Sequence, residues 1–366
     1  MRFATLLFAL LGAGVLAGGA APRHVRGDVT RTIEGRTFAV TVDRQGAREL
    51  VRMCVRGVCG GSWFDGSRRW TYGINEVLVP ETSAPRSDAL VDAARAAARP
   101  VDGPLAPPSG VAATFEGDAT LALNDTMIPI VDCTLNRRAV RCLLDSGTTP
   151  SAITLRLAEA LGLEPQGEIE ISAFGHYATG IVASGPLVVG PAHLTGTRFA
   201  VAPVNRDLGF DVIVGADLLA RMRVVFERPQ RRVRISASAH GGDSAGIALL
   251  FHDGVPTVTA RLGDSETSAL LDTGDAATIS LGYETYRHGT PWPVVARGGA
   301  QGIGGGEDTL EISVPSAAVG TLALGPTRAI VRRTQLGVHV GVGLWSRCSL
   351  ELDEAAERMH CAPSNG

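Results

Sequence analysis

The chain has 366 residues, 45% hydrophobic and 19% charged, with a formal net charge of -3. That length suits one or two domains, and the composition excludes a disordered or collagen-like chain. The faintly acidic balance offers no basic surface for nucleic acid or anionic lipid, so neither is an expected partner. Forty-five Gly and 20 Pro set many turns and favour short strands over long helices, which points to an all-β class.

At the start, Met1-Arg2 precedes the apolar run Phe3 to Leu16 and the small residues Ala17-Gly18-Gly19-Ala20-Ala21. This is the three-part plan of a secretory signal peptide, residues 1–20, with cleavage expected after Ala20 and export to a periplasmic or extracellular compartment. The run is too short to cross about 30 Å of hydrocarbon, and no membrane span is expected after cleavage. The six cysteines are Cys54, Cys59, Cys133, Cys142, Cys348 and Cys361. None has zinc-like spacing, and export lets them stay oxidised. Proximity in sequence favours the pairs 54–59, 133–142 and 348–361.

Residues 21–79 read as a small β-rich segment: Thr37 to Val42 alternates, and Cys54 to Cys59 resembles a stapled turn. A propeptide and an accessory domain are both compatible with it. Residues 80–110, rich in Pro and Ala, read as a linker with a short helical stretch between Ala89 and Arg99.

From Val111 onward the chain repeats itself. Ile128-Pro129-Ile130-Val131 and Leu143-Leu144-Asp145-Ser146-Gly147 return as Val255-Pro256-Thr257-Val258 and Leu270-Leu271-Asp272-Thr273-Gly274, both at an offset of 127. Val212-Ile213-Val214-Gly215 returns as Val338-His339-Val340-Gly341 at an offset of 126. Separated blocks that keep their spacing mean a duplicated unit of about 120 residues. Each unit begins with a hairpin, turning near Asn136-Arg137-Arg138 or Gly263-Asp264-Ser265, whose returning strand ends in Asp-Ser/Thr-Gly. A helix-like stretch, Leu155 to Leu163, follows in the first unit. Gly-rich regions lie at 174–180 and 302–306, and a buried strand then leads to Gly215 or Gly341. The units are expected at 111–240 and 247–366, joined by a linker at 241–246.

One Asp-Ser/Thr-Gly is a common turn; two at equivalent places in a repeat are far more specific. Together with Ile213-Val214-Gly215 and Val340-Gly341, the loops Asp145-Ser146-Gly147-Thr148 and Asp272-Thr273-Gly274 make residues 111–361 resemble the pepsin and retropepsin superfamily of aspartic proteases, as two retropepsin-like units fused in one chain. The resemblance implies a bilobal fold of two β-barrel-like lobes related by a pseudo-twofold axis, with Asp145 and Asp272 facing each other. It implies an endopeptidase acting on polypeptides, monomeric, and needing no cofactor or metal. Two touching carboxylates share one proton: one takes a proton from water while the other donates to the peptide carbonyl. Gly147 and Gly274 would let backbone N–H groups approach the acids. Ser146 and Thr273 would tie the loops together, and Thr148 would donate to a carboxylate. The Gly-rich stretches, with Gly175, Tyr177, Ile303 and Gly304, would be lids over the substrate.

Asp275 departs from the family pattern, which has Ser, Thr or Ala there. An ionised Asp275 only accepts hydrogen bonds; aimed inward it would raise the pKa of the acid pair, whereas turned outward it would cap the local turn. The outward cap is the expected state, and Asp217 is likewise read as a cap. This oddity motivates the alternative: a protease-fold binding or scaffolding protein of the cell envelope with impaired catalysis. Gly242-Asp243-Ser244-Ala245-Gly246 fits the serine-hydrolase G-x-S-x-G pattern, but its polar, Gly-rich setting makes it the linker.

Overall fold

The computed structural model describes residues 23–363 apart from 84–87, 125–126, 173–175, 184, 204–207, 239–245, 290–291, 303–304 and 347. The leader expected at 1–20 and most of the 241–246 linker lie outside them. Strands account for 57% and helix for 10%, the all-β balance expected from the turn-forming residues.

The alternation at Thr37 to Val42 becomes the strand Arg36–Gln45, which turns Val40 and Val42 inward against Val51. It belongs to a seven-stranded antiparallel sheet formed mainly by consecutive strands from His24–Ile33 to Val79–Pro80. Two of its turns, Glu34-Gly35 and Arg56-Gly57, have positive φ at both central residues, the twist that two-residue hairpins require. The stretch read as a linker is folded onto this sheet. Asp88 caps the helix Ala89–Ala96 by accepting from the N–H groups of Leu90 and Val91, and Val91 and Ala94 cover the valines. Gly27 permits this contact, since a Cβ there would lie 1.8 Å from the Ala94 carbonyl oxygen. Arg99–Pro100 then pairs with the edge at Val25 and Arg26. Pro80 and Pro100 each close a two-residue strand.

The two repeated hairpins form as expected. Ile130–Leu135 pairs with Arg138–Asp145, and Val255–Leu262 with Ser265–Asp272. Each returning strand runs parallel to an apolar strand ending in glycine: Val212–Gly215 puts Gly215 opposite Asp145, and Val338–Gly341 puts Gly341 opposite Asp272. Beyond these, Ala152–Thr154 lies antiparallel to Val212–Gly215 and parallel to Arg198–Ala202. Ile279–Gly282 has the same relations to Val338–Gly341 and Leu322–Arg332. The helix-like stretch is helical over Leu155–Ala160, capped by the Thr154 hydroxyl. A second short helix, Tyr283–His288, stands at the matching place, unannounced by apolar periodicity.

The first hairpin belongs to a ten-stranded sheet and the second to an eight-stranded one. A six-stranded sheet draws on both regions: Arg223–Glu227 pairs with Cys348–Asp353. Behind this junction Phe226 stacks on Trp345 with ring centroids 4.6 Å apart, and one apolar cluster runs through both regions. Disulfides join Cys54–Cys59, Cys133–Cys142 and Cys348–Cys361, the pairing that sequence proximity favours. No helix among the described residues is long and apolar enough to cross a membrane.

The N-terminal sheet is attached to both regions. Asn75 donates to Asp217 at 2.7 Å and exchanges hydrogen bonds with the backbone of Arg198. Thr82 bonds the backbone N–H and carbonyl of Phe251, and Arg68 pairs with Glu357. Val77, Val79 and Val111 enter the large apolar cluster.

One buried group stands out energetically. Glu354 is fully buried, and neither carboxyl oxygen has a hydrogen-bond partner among the described residues. Burial, then the charges of Asp217 and Asp353, push its carboxyl well above the ordinary range. The folded chain therefore holds a proton that the unfolded chain releases. The associated stability is fully present below the ordinary Glu value and declines as pH rises toward the folded one. Glu354→Gln leaves an amide in the same place but has no proton to gain on folding, so its stability at pH 7, relative to that at pH 4, should exceed the wild type's. It should also flatten the fall in stability between pH 4 and 8, as read by urea unfolding.

Candidate active site

Asp145 and Asp272 each end a strand, so their side chains emerge where the parallel ladder with Gly215 or Gly341 stops. Both loops turn back on their own acid: Gly147 N–H donates to Asp145 Oδ1 and Gly274 N–H to Asp272 Oδ1, each at 3.0 Å. The structure brings the two loops together. A Cβ added to Gly147 would lie 2.7 Å from Asp272 Oδ1, and one on Gly274 would lie 2.6 Å from Asp145 Oδ2. Each carboxylate thus rests on the other loop's glycine, where any side chain would collide.

Beneath them the hydroxyls cross. Ser146 N–H donates to Thr273 Oγ1 at 2.9 Å, and Thr273 Oγ1 donates to the Leu144 carbonyl at 2.7 Å. In return, Thr273 N–H donates to Ser146 Oγ, and Ser146 Oγ donates to the Leu271 carbonyl at 2.6 Å. Both side chains are buried, so this exchange supplies the partners that water cannot reach. The supporting role expected of Ser146 and Thr273 has this geometric form.

The acids differ in their further partners. Thr148 Oγ1 donates to Asp145 Oδ2 at 2.6 Å, whereas Asp272 Oδ2 lies 3.1 Å from His339 Nδ1. Burial, then the charge of Asp272, pushes Asp145 up to about 7. Burial also pushes Asp272 upward, but the His339 hydrogen bond and charge, the Asp145 hydrogen bond and Arg332 outweigh it. The net direction is down. Such a pair titrates as a unit and holds one proton through weak acid.

Asp275 corrects the outward-facing expectation. It does cap its turn, accepting from Ala277 N–H at 3.0 Å, yet it is buried and paired with Arg332 at 2.6 Å. Ser280 donates to its other oxygen. The guanidinium offsets the charge that would have opposed ionisation of the acids. Donor atoms of Asp272, Asp275 and His339 fall within 4.8 Å of one another, a spacing that suits a cation. Both Asp275 oxygens are already committed, however, and Arg332 supplies the positive charge. The cluster is an ion-pair network.

Asp217 does more than cap its helix: besides the Leu218 N–H it binds groups far away in the sequence. It is buried, and Ser151 gives it both N–H and hydroxyl, at 3.0 and 2.6 Å. Ser151 Oγ in turn accepts from Gly215 N–H at 2.8 Å, so the chain Asn75–Asp217–Ser151–Gly215 runs from the N-terminal sheet to the strand beside Asp145. Of the lid residues, Gly175, Ile303 and Gly304 lie outside the described residues, as do Gly242 to Ala245. Tyr177 pairs through its backbone with Ile171. Sequence reasoning missed His339 and Arg332. The signal for His339 was a polar side chain inside Val-His-Val-Gly, at the place where the first unit has Ile213.

Thr273→Val would leave the Ser146 N–H and the Leu144 carbonyl buried and unpaired. A loss of about 2–4 kcal/mol is expected in urea unfolding, against less than about 1 kcal/mol for Thr273→Ser, which keeps the hydroxyl.

Residues 131–218 match the family model described as "Aspartyl protease". No curated protein matches the chain. Among solved structures, a retropepsin-like aspartic protease from Rickettsia conorii is similar at 16% identity, over 34% of this chain and 92% of its own, with a TM-score of 0.25.

Proposed function

We propose that the protein is an aspartic endopeptidase built from two retropepsin-like units in one chain, 111–240 and 247–366, facing each other across an approximate twofold axis. The observation that carries this reading is the mutual seating of Asp145 and Asp272 on Gly274 and Gly147. Equal registers of the two acid-bearing strands with Gly215 and Gly341 support it, as does the family match over 131–218.

The chemistry follows from one proton shared by two acids. A water between them attacks the peptide carbonyl carbon as the ionised acid removes its proton and the protonated acid donates to the carbonyl oxygen. The resulting tetrahedral diol collapses when the first acid passes its proton to the leaving nitrogen. The C–N bond breaks, and a diol hydroxyl reprotonates the second acid. Enzyme and proton count are restored with no covalent intermediate. The substrate is a polypeptide in extended form, and the protein works as a monomer outside the cytoplasm, in keeping with three disulfides. Residues 21–110 form an accessory domain retained in the active protein, an assignment supported by their bonds to both units. The pairing of Asp275 with Arg332 supports this reading over the alternative, a protease-fold binding or scaffolding protein.

Hydrolysis of a denatured protein tests the reading. Asp145→Asn and Asp272→Asn should each lower kcat by ~10²–10⁴-fold while leaving the circular dichroism spectrum unchanged. Retained activity in either variant would refute it. In the wild-type protein, activity should fall as pH rises past about 7, where the pair gives up its shared proton.

A further inference from the structure

We propose that His339, as an imidazolium, is a positioning residue that holds Asp272 as the ionised member of the pair, so that the shared proton resides on Asp145. This rests on the reading of the pair as a protease dyad and goes beyond it by assigning the two roles. Asp272 would take the proton from water, and Asp145 would donate to the carbonyl oxygen.

The second acid loop is missing a donor that the first one has. In the first unit Thr148 Oγ1 donates to Asp145 Oδ2 at 2.6 Å. The matching residue, 127 positions on, is Asp275, a carboxylate with nothing to donate. The second acid would lack its side-chain donor, and His339 Nδ1, 3.1 Å from Asp272 Oδ2, stands in that place. His339 lies opposite Leu270 in its ladder as Ile213 lies opposite Leu143 in the other. Ile213 packs among Ile130, Leu143 and Phe210, so the same backbone position carries an alkyl group beside one acid and an ionisable ring beside the other.

Charge around the pair is correspondingly lopsided. Asp272 is faced by Asp145 across the loop contact, by His339 from the adjacent strand, and by Asp275 with its partner Arg332. The negative charge of Asp275 is offset by Arg332, so a proton on His339 would place an unmatched positive charge beside Asp272. Among the described residues, the donors to Asp145 are the neutral Thr148 Oγ1 and Gly147 N–H. A single shared proton therefore costs least on Asp145. The side chains of His339 and Asp272 are 21% and 18% exposed, so water reaches both.

Two variants of the full-length protein separate charge from packing. His339→Asn keeps an amide donor near the Nδ1 position without the charge, and His339→Ile installs the residue of the first unit. Two readouts apply: the acid limb of the pH profile of kcat/KM, and the 13C carboxyl titration of Asp272 by NMR. Both variants should move the acid limb and the titration upward by about one pH unit, as expected for loss of a neighbouring cation. At a fixed pH on that limb this appears as a tenfold loss of kcat, with KM changed less than threefold. An Asn variant that keeps the wild-type limb and the wild-type titration would overturn the proposal. Should the wild-type protein hydrolyse nothing, the protease reading falls, yet the Asp272 titration still decides this one: an upward shift in His339→Asn supports it and an unchanged curve rejects it.

Discussion

Two carboxylates held in contact repel, and the fold must oppose that repulsion with something that water cannot dissolve. The crossed hydroxyls of Ser146 and Thr273 do this. Each accepts the other's backbone N–H and gives its proton to a carbonyl of the opposite strand, Leu271 or Leu144. The groups are buried, so neither loop is satisfied unless the other is present. The glycines that seat the acids, and the parallel strands that end at Gly215 and Gly341, are arranged around this exchange.

The two acid-bearing strands share their registers but differ at several side chains that touch an acid or its support. Ser151 and Asp217 link the first loop to the N-terminal sheet; Thr278 and Gly343 stand at the matching places. A Cβ on Gly343 would come within 2.5 Å of the Thr278 hydroxyl, so the second unit closes the same space by direct backbone approach. Asp275 for Thr148 and His339 for Ile213 are further replacements, and they fall on one side of the pair. The electrostatic difference between Asp145 and Asp272 follows from these few positions and not from the strands that carry them.

The parts of the molecule that were legible in the sequence share a physical basis: they are local or periodic. The acid loops follow a hairpin whose turn and alternation can be read directly, and the constant offset anticipates the equal registers of the two acid-bearing strands. Each disulfide bridges residues 5, 9 or 13 apart, near enough for proximity to select partners. What escaped notice depends on distant contacts. Asp275 looked solvent-bound because its partner Arg332 lies 57 residues away, and Asp217 looked like no more than a cap because Asn75 lies 142 residues away. The stretch 80–110 looked loose because its prolines are visible in sequence whereas the strand that receives its helix is not.

The strand pairing of Arg223–Glu227 with Cys348–Asp353 has a consequence for how such a molecule can change. Partners carried on one polypeptide cannot be separated by dilution, so the acidic pair stays assembled at any protein concentration. Each half can also accept a substitution that its counterpart would not tolerate. A pair of identical chains could not keep threonine at one loop while placing aspartate, with an arginine to neutralise it, at the other; a single chain can.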